Sequence, residues 1–170
     1  MRAIDKRQAR ILYTKSGRGL VKDAQLLEYL LKQNGWLVSL KPVAASDFID
    51  RATYYWERFK IRLPPALRRF LDQCQMGAGK LRPGRVDLQI HLEIPFSTFM
   101  GACPENWLIP NQEWANMHQL QYLPHLSRIL CKTQAAVDAY RPFKTNVFYI
   151  GFSNTLAGDL PAFSSDPERF

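Results

Sequence analysis

Residues 10–40 carry the pattern that most restricts the fold. Arg10-Ile11-Leu12-Tyr13-Thr14 is a short apolar run of strand-forming residues, stopped by Lys15-Ser16-Gly17-Arg18-Gly19. Leu20, Ala24, Leu27 and Leu31 then fall at steps of four, three and four, which puts them on one helical stripe. Asn34-Gly35 is a helix stop, and Trp36-Leu37-Val38-Ser39-Leu40 reads as a second strand ended by Pro42. Strand, glycine turn, helix and strand within about thirty residues make a βαβ unit, and its crossover demands parallel strands. The class is therefore α/β.

The rest of the chain continues this alternation. From Ser46 a helical stripe runs through Phe48, Ala52, Tyr55 and Phe59, with Arg51, Arg58 and Arg62 in a row beside it. Pro64-Pro65 breaks that helix and opens another, which carries Leu67, Phe70 and Leu71 to about Cys74. Met76-Gly77-Ala78-Gly79-Lys80 and Pro83-Gly84 read as a loop. Strands are expected at Val86–Glu93, Asn106–Ile109, Arg128–Cys131 and Asn146–Ile150, with a helix over 133–140 capped by Thr133. The expectation is a Rossmann-like three-layer α/β/α domain with a mainly parallel sheet over 10–152. A basic segment, 1–9, precedes it, and 153–170 reads as an interdomain linker or the start of a further domain.

The chain has 170 residues, 46% of them hydrophobic, enough to build a core. Its three cysteines, Cys74, Cys103 and Cys131, are far apart and form no CxxC pair, so a disulfide framework is excluded and a reducing cytoplasm is the expected setting. No apolar run approaches the length of a membrane span. The net charge of +8 is unevenly spread. Residues 1–22 hold seven bases and one acid, and 51–85 hold nine bases and two acids, while the remainder is mildly acidic. Such a surplus suggests an anionic partner: nucleic acid, a membrane surface or a phosphorylated small molecule.

Several familiar motifs fail on inspection. Met76–Lys80 ends in Gly-Lys, but Cys74 and Leu81 stand where a phosphate-binding P-loop needs glycine and Ser/Thr. Gly17-Arg18-Gly19 supplies two glycines of the dinucleotide fingerprint, with Lys22 in place of the third. His91-Leu92-Glu93 resembles the H-x-E of zinc deaminases, yet no CxxC follows. His118 and His125 have no acidic partner at ligand spacing, so no metal site is expected.

Ligands of open α/β sheets bind beyond the carboxyl ends of the strands. The residues just past each expected strand are Gly17, Arg18 and Gly19, then His91 with Glu93, Asn111 with Glu113, and Lys132. Small residues at a helix start let backbone N–H groups approach an anion, and Arg18 adds charge there. Along Val86–Glu93 the apolar Val86, Leu88, Ile90 and Leu92 alternate with Asp87, Gln89, His91 and Glu93. That alternation is unusual for a central parallel strand, so the strand is expected either at an edge or with its polar face on a wet cleft.

Four strings carry a resemblance: Ile11 to Gly19; Asp87-Leu88-Gln89-Ile90-His91-Leu92-Glu93; Leu108-Ile109-Pro110-Asn111-Gln112-Glu113-Trp114; and Ile129-Leu130-Cys131-Lys132-Thr133 leading to Phe148-Tyr149-Ile150-Gly151-Phe152. Together they resemble the N-terminal domain of GT-B-fold glycosyltransferases, in particular the retaining, family-4-like group that uses nucleotide-sugar donors. The resemblance implies an acceptor-side half-enzyme whose donor is bound mainly by a C-terminal domain beyond Phe170, so that this chain alone shows little transfer. It implies that Gly17, Arg18 and Gly19 lie near the donor's phosphate and sugar, and that His91, followed here by Leu92-Glu93, is the candidate to contact the transferred sugar. His91 and Glu93 are the catalytic candidates; Asn111, Glu113 and Lys132 are cleft candidates. The nucleotide-sugar is a co-substrate, and no separate cofactor is implied.

The basic aromatic segment admits two arrangements. Arg51, Trp56, Arg58 and Arg62 either contact a lipid-linked acceptor or an anionic membrane surface, or belong to an ordinary amphipathic helix packed on the sheet with its arginines outward. Two other functions compete with the transferase. A nucleic-acid-binding α/β module suits the charge but brings no recognised binding motif, and a Rossmann oxidoreductase is disfavoured by Lys22.

Overall fold

The apolar run at the start forms β1 (Gln8–Thr14), the glycine turn leads into α1 (Arg18–Gln33), and β2 (Leu37–Val43) closes the unit. In this computed structural model residues 7–14, 18–43, 55–56, 59–60, 62–79, 86–101, 103–111 and 117–151 are described. The order continues with α2 (Pro65–Gly79), β3 (Leu88–Glu93), the short α3 (Ser97–Met100), β4 (Glu105–Pro110), a 3-10 helix (Met117–His125), β5 (Arg128–Cys131), α4 (Gln134–Tyr140) and β6 (Val147–Tyr149). All six strands join one sheet in the order β2-β1-β3-β4-β5-β6, and every pairing is parallel. This is the expected Rossmann-like α/β fold.

Chirality then assigns the layers. A right-handed crossover from β1 to β2 runs in one direction along the sheet and the later ones in the other, so α1 falls on one face and the later helices on the opposite face. The core divides accordingly. Ala9, Ile11, Tyr13, Leu88, Ile90, Leu92 and Ile109 pack with Ala24 and the Leu20–Leu31 stripe of α1. Leu108, Ile129, Cys131 and Val147 point the other way, against Tyr122, Leu123 and Leu126 and against Ala136, Val137 and Tyr140 of α4. The expected cap is present: Thr133 Oγ1 accepts the N–H of Ala136 at 3.1 Å.

Three expectations need correction. Pro42 lies inside β2 and does not end it, because β2 is an edge strand of the sheet, where a missing N–H loses no ladder bond. The helix opened by Pro65 continues past Cys74 through Met76-Gly77-Ala78-Gly79, since Met76 packs into the second core cluster and tertiary contact outweighs glycine's weak helix propensity. And β3, expected at an edge or on a wet cleft, lies between β1 and β4 with Gln89 and His91 fully buried.

Candidate functional site

The strand order reverses between β1 and β3. The chain leaves β1 toward one face and β3 toward the other, which makes their carboxyl ends the switch point at which open α/β sheets form a ligand crevice. Two side chains meet there. Thr14, the last residue of β1, donates from Oγ1 to Glu93 Oε2 at 3.0 Å, and Glu93 is the last residue of β3. Glu93 has φ +74°, the one non-glycine residue in the left-handed region among the described residues. Around it the N–H of Ile94 donates to the carbonyl of Leu92 at 3.0 Å, closing a three-residue turn. A γ-turn with positive φ at its centre is the rare, strained form. For a side chain with a Cβ the left-handed region costs roughly 1–2 kcal/mol. Strain of this kind persists where the surroundings impose it and clusters at functional positions.

The surroundings that impose it begin two residues earlier. His91 Nδ1 accepts the N–H of Phe96 at 3.0 Å, so the ring proton sits on Nε2, which donates to Asn106 Oδ1 at 3.3 Å. Gln89 Nε2 donates to the same Asn106 oxygen and to the Phe99 carbonyl, both at 3.0 Å. Asn106 Nδ2 in turn donates to the carbonyls of Met100 and Cys103. The polar face of β3 thus pins residues 96–103 to β4 and leaves the chain little choice at 93–95. Burial holds His91 neutral, pushed down to about 4 although its bond to Asn106 favours the charged form.

His91 therefore reaches no solvent in this structure, and both its nitrogens hold protein groups, whereas Glu93 is only partly buried. Asn111 stands beside Glu93, its N–H directed at the Glu93 carbonyl at 3.4 Å. Gly19 lies in the first turn of α1, where a Cβ would meet nothing within 4 Å. No acid occupies that first turn, so no charge within that turn offsets the positive end of the helix dipole. Arg18 is the first residue of α1. Lys132, just past β5, is ion-paired with Asp23 of α1 and ties the far strand end to the near helix. Gly17 and Glu113 lie outside the described residues, as do Arg51 and Arg58, while Trp56 and Arg62 are exposed away from the core.

The site residues missed in the sequence are Thr14, Gln89, Asn106 and Asp23. Thr14 had a signal, a polar residue ending an apolar strand directly before a glycine turn. Asn106 had none, because its partners lie on other strands and loops. Among the described residues no group of His, Cys, Asp and Glu is arranged to hold a metal ion, and no helix is long and apolar enough to cross a membrane. Burial pushes the thiols of Cys103 and Cys131 up to about 11, which keeps them protonated and unreactive. A shallow groove of about 490 Å³ between Trp36, Lys32 and Gln8 lies at the opposite, amino end of the strands and shares no residue with the crevice. Comparison with protein-family models, curated proteins and solved structures gives no match.

Proposed function

We propose that this chain is the acceptor-side N-terminal domain of a nucleotide-sugar-dependent glycosyltransferase of the retaining GT-B kind, with the sugar end of its substrates at the β1–β3 crevice. The observation that carries the reading is Glu93: a carboxylate held on a strained turn at the switch point, already accepting a hydroxyl hydrogen bond from Thr14. A carboxylate in that position suits a sugar hydroxyl, which would replace or share the Thr14 contact. The N-terminus of α1, with Gly17, Arg18 and Gly19, suits a diphosphate, because small residues let N–H groups approach it.

Sugar transfer with retention develops positive charge at the anomeric carbon and negative charge on the leaving diphosphate. In this reading the first is met by Glu93 and the second by the α1 N-terminus and Arg18, together with a donor-binding domain elsewhere in the enzyme. His91, being neutral and internally bonded, positions the 94–103 segment, and the sugar-contacting role passes to Glu93. Asn111 and Lys132 line the rim, and the acceptor is anionic or lipid-linked.

Two measurements test the proposal. The isolated chain should show little or no transfer from nucleotide-sugars, and robust turnover would contradict the half-enzyme reading. A thermal-shift comparison should give stabilisation by UDP-glucose or GDP-mannose and none by NADH or NADPH; the reverse pattern would favour the oxidoreductase.

A further inference from the structure

One end of the sheet is covered on a single side. All-parallel sheets ordinarily have both faces covered. Here α4 packs on β5 and β6 from one side. On the other side α1 packs on β1, β2 and β3, and among the described residues no helix packs on β5 or β6 from there. That side is open at its edge strand, where Phe148 is 47% exposed and Ile150 42%.

The open side carries one unbroken row of side chains across three strands. Trp107 of β4 pairs in register with Arg128 of β5, and Leu130 of β5 with Phe148 of β6, which sets all four on the same face. The Arg128 guanidinium lies 5.0 Å from the centre of the Trp107 ring and 5.9 Å from that of Phe148. Trp107 Nε1 donates to Glu105 Oε2 at 3.2 Å, so the row runs from an exposed carboxylate through an indole and an exposed guanidinium to an exposed phenyl ring. Ion pairs among the described residues join Lys32 to Glu28, the buried Lys60 to Asp72, and Lys132 to Asp23. Neither Glu105 nor Arg128 has such a partner among the described residues.

We propose that this half-face is a two-fold interface with a second copy of the chain, in which Arg128 of each copy meets Glu105 of the other. Charge complementarity selects the occupant. The row holds one base and one acid, each without an ion pair inside the chain, and a two-fold rotation brings each opposite its complement. Trp107, Leu130 and Phe148 supply the apolar centre, and aromatic residues and arginine are the types enriched at such interfaces. Stacking on two rings holds the guanidinium in place before association, so less side-chain freedom is lost on binding. The interface does not depend on the transferase reading and is tested without reference to activity.

The test is sedimentation velocity of the 170-residue chain from micromolar to near-millimolar concentration. The chain should show a monomer–dimer equilibrium. Arg128→Glu sets carboxylates against each other across the two-fold axis, and Glu105→Arg sets guanidinium groups against each other. Each should weaken association about tenfold or more, and Phe148→Ser should weaken it as well. Mixed in equal amounts, the two charge variants should associate within about threefold of the parent's strength, because every pair across the axis is then opposite in sign. Mixing changes nothing within a chain, so recovery reports the contact between copies alone. Glu105, Arg128 and Phe148 are exposed, so thermal melts should show each variant folded. A dimer indifferent to any of the three substitutions, or charge variants that fail to restore each other, overturns the proposal. A chain that stays monomeric throughout also overturns it, and leaves the half-face to a different protein.

Discussion

Glu93 and His91 stand two residues apart on β3, and the backbone gives them opposite tasks. His91 is neutral, buried and fully engaged, which has a consequence for pH. Its folded pKa, about 4, lies below the ordinary 6.5, so the unfolded chain takes up a proton that the folded chain refuses. The stabilisation is complete above about pH 6.5 and drains away as pH falls toward about 4, a loss on the order of 3 kcal/mol. Urea unfolding of the parent and of His91→Gln across that window should show the parent's slope reduced by one proton in the variant; equal slopes would contradict the assignment. At Glu93 the backbone itself is the test. Glu93→Ala keeps the left-handed φ and loses the Thr14 bond, whereas Glu93→Gly relieves the strain while losing the same bond. The glycine variant should be more stable than the alanine variant by about 1 kcal/mol, and identical unfolding midpoints would mean that the turn is unstrained.

At the scale of elements, what locks the helices to the sheet is partly polar and partly steric. Asp72→Ala strands the Lys60 ammonium in the interior and should cost about 3–5 kcal/mol, while Lys60→Met with Asp72→Leu should recover most of that loss. A double variant no better than the single in thermal unfolding would deny the pair its role. Gly101 is the steric counterpart: a Cβ there would lie 1.7 Å from the Met76 carbonyl oxygen, so α2 runs directly over this residue. Gly101→Ala should lower stability by about 2 kcal/mol, seen as a lower urea midpoint; a parental midpoint would show that the contact yields. These contacts also mark where the sequence was legible. The βαβ unit, the Thr133 cap and the strand 128–131 follow from local period and turn chemistry, which single segments carry. The inward face of α2 does not, because the partner that turns Asp72 inward, Lys60, lies outside the helix. Likewise the alternation along β3 announced something unusual, but whether its polar face met water or protein depended on Asn106, from another strand. Glu93 was legible as a candidate from its place at a strand end. The left-handed turn that gives it significance was not, since it is imposed by the anchored 96–103 segment.

For the whole molecule, the sheet order places its switch point between β1 and β3, where Thr14 meets Glu93. α1 shields one face of β2, β1 and β3, and farther along that face Arg128 lies over the rings of Trp107 and Phe148. In this reading the crevice takes the sugar and diphosphate. Along the sequence the charge falls into two basic blocks, residues 1–22 and 51–85, with a mildly acidic remainder. The central claim is that Glu93 and the start of α1 form one sugar-phosphate site. Amide spectra of the labelled chain, titrated with UDP-glucose, GDP-mannose and NADH, test it most directly. The account predicts shifts centred on Thr14, Gly19, Glu93 and Asn111 with a nucleotide-sugar and none with NADH, and their loss in the folded Glu93→Gly variant. Shifts that survive Glu93→Gly, gather elsewhere, or appear with NADH alone would contradict it.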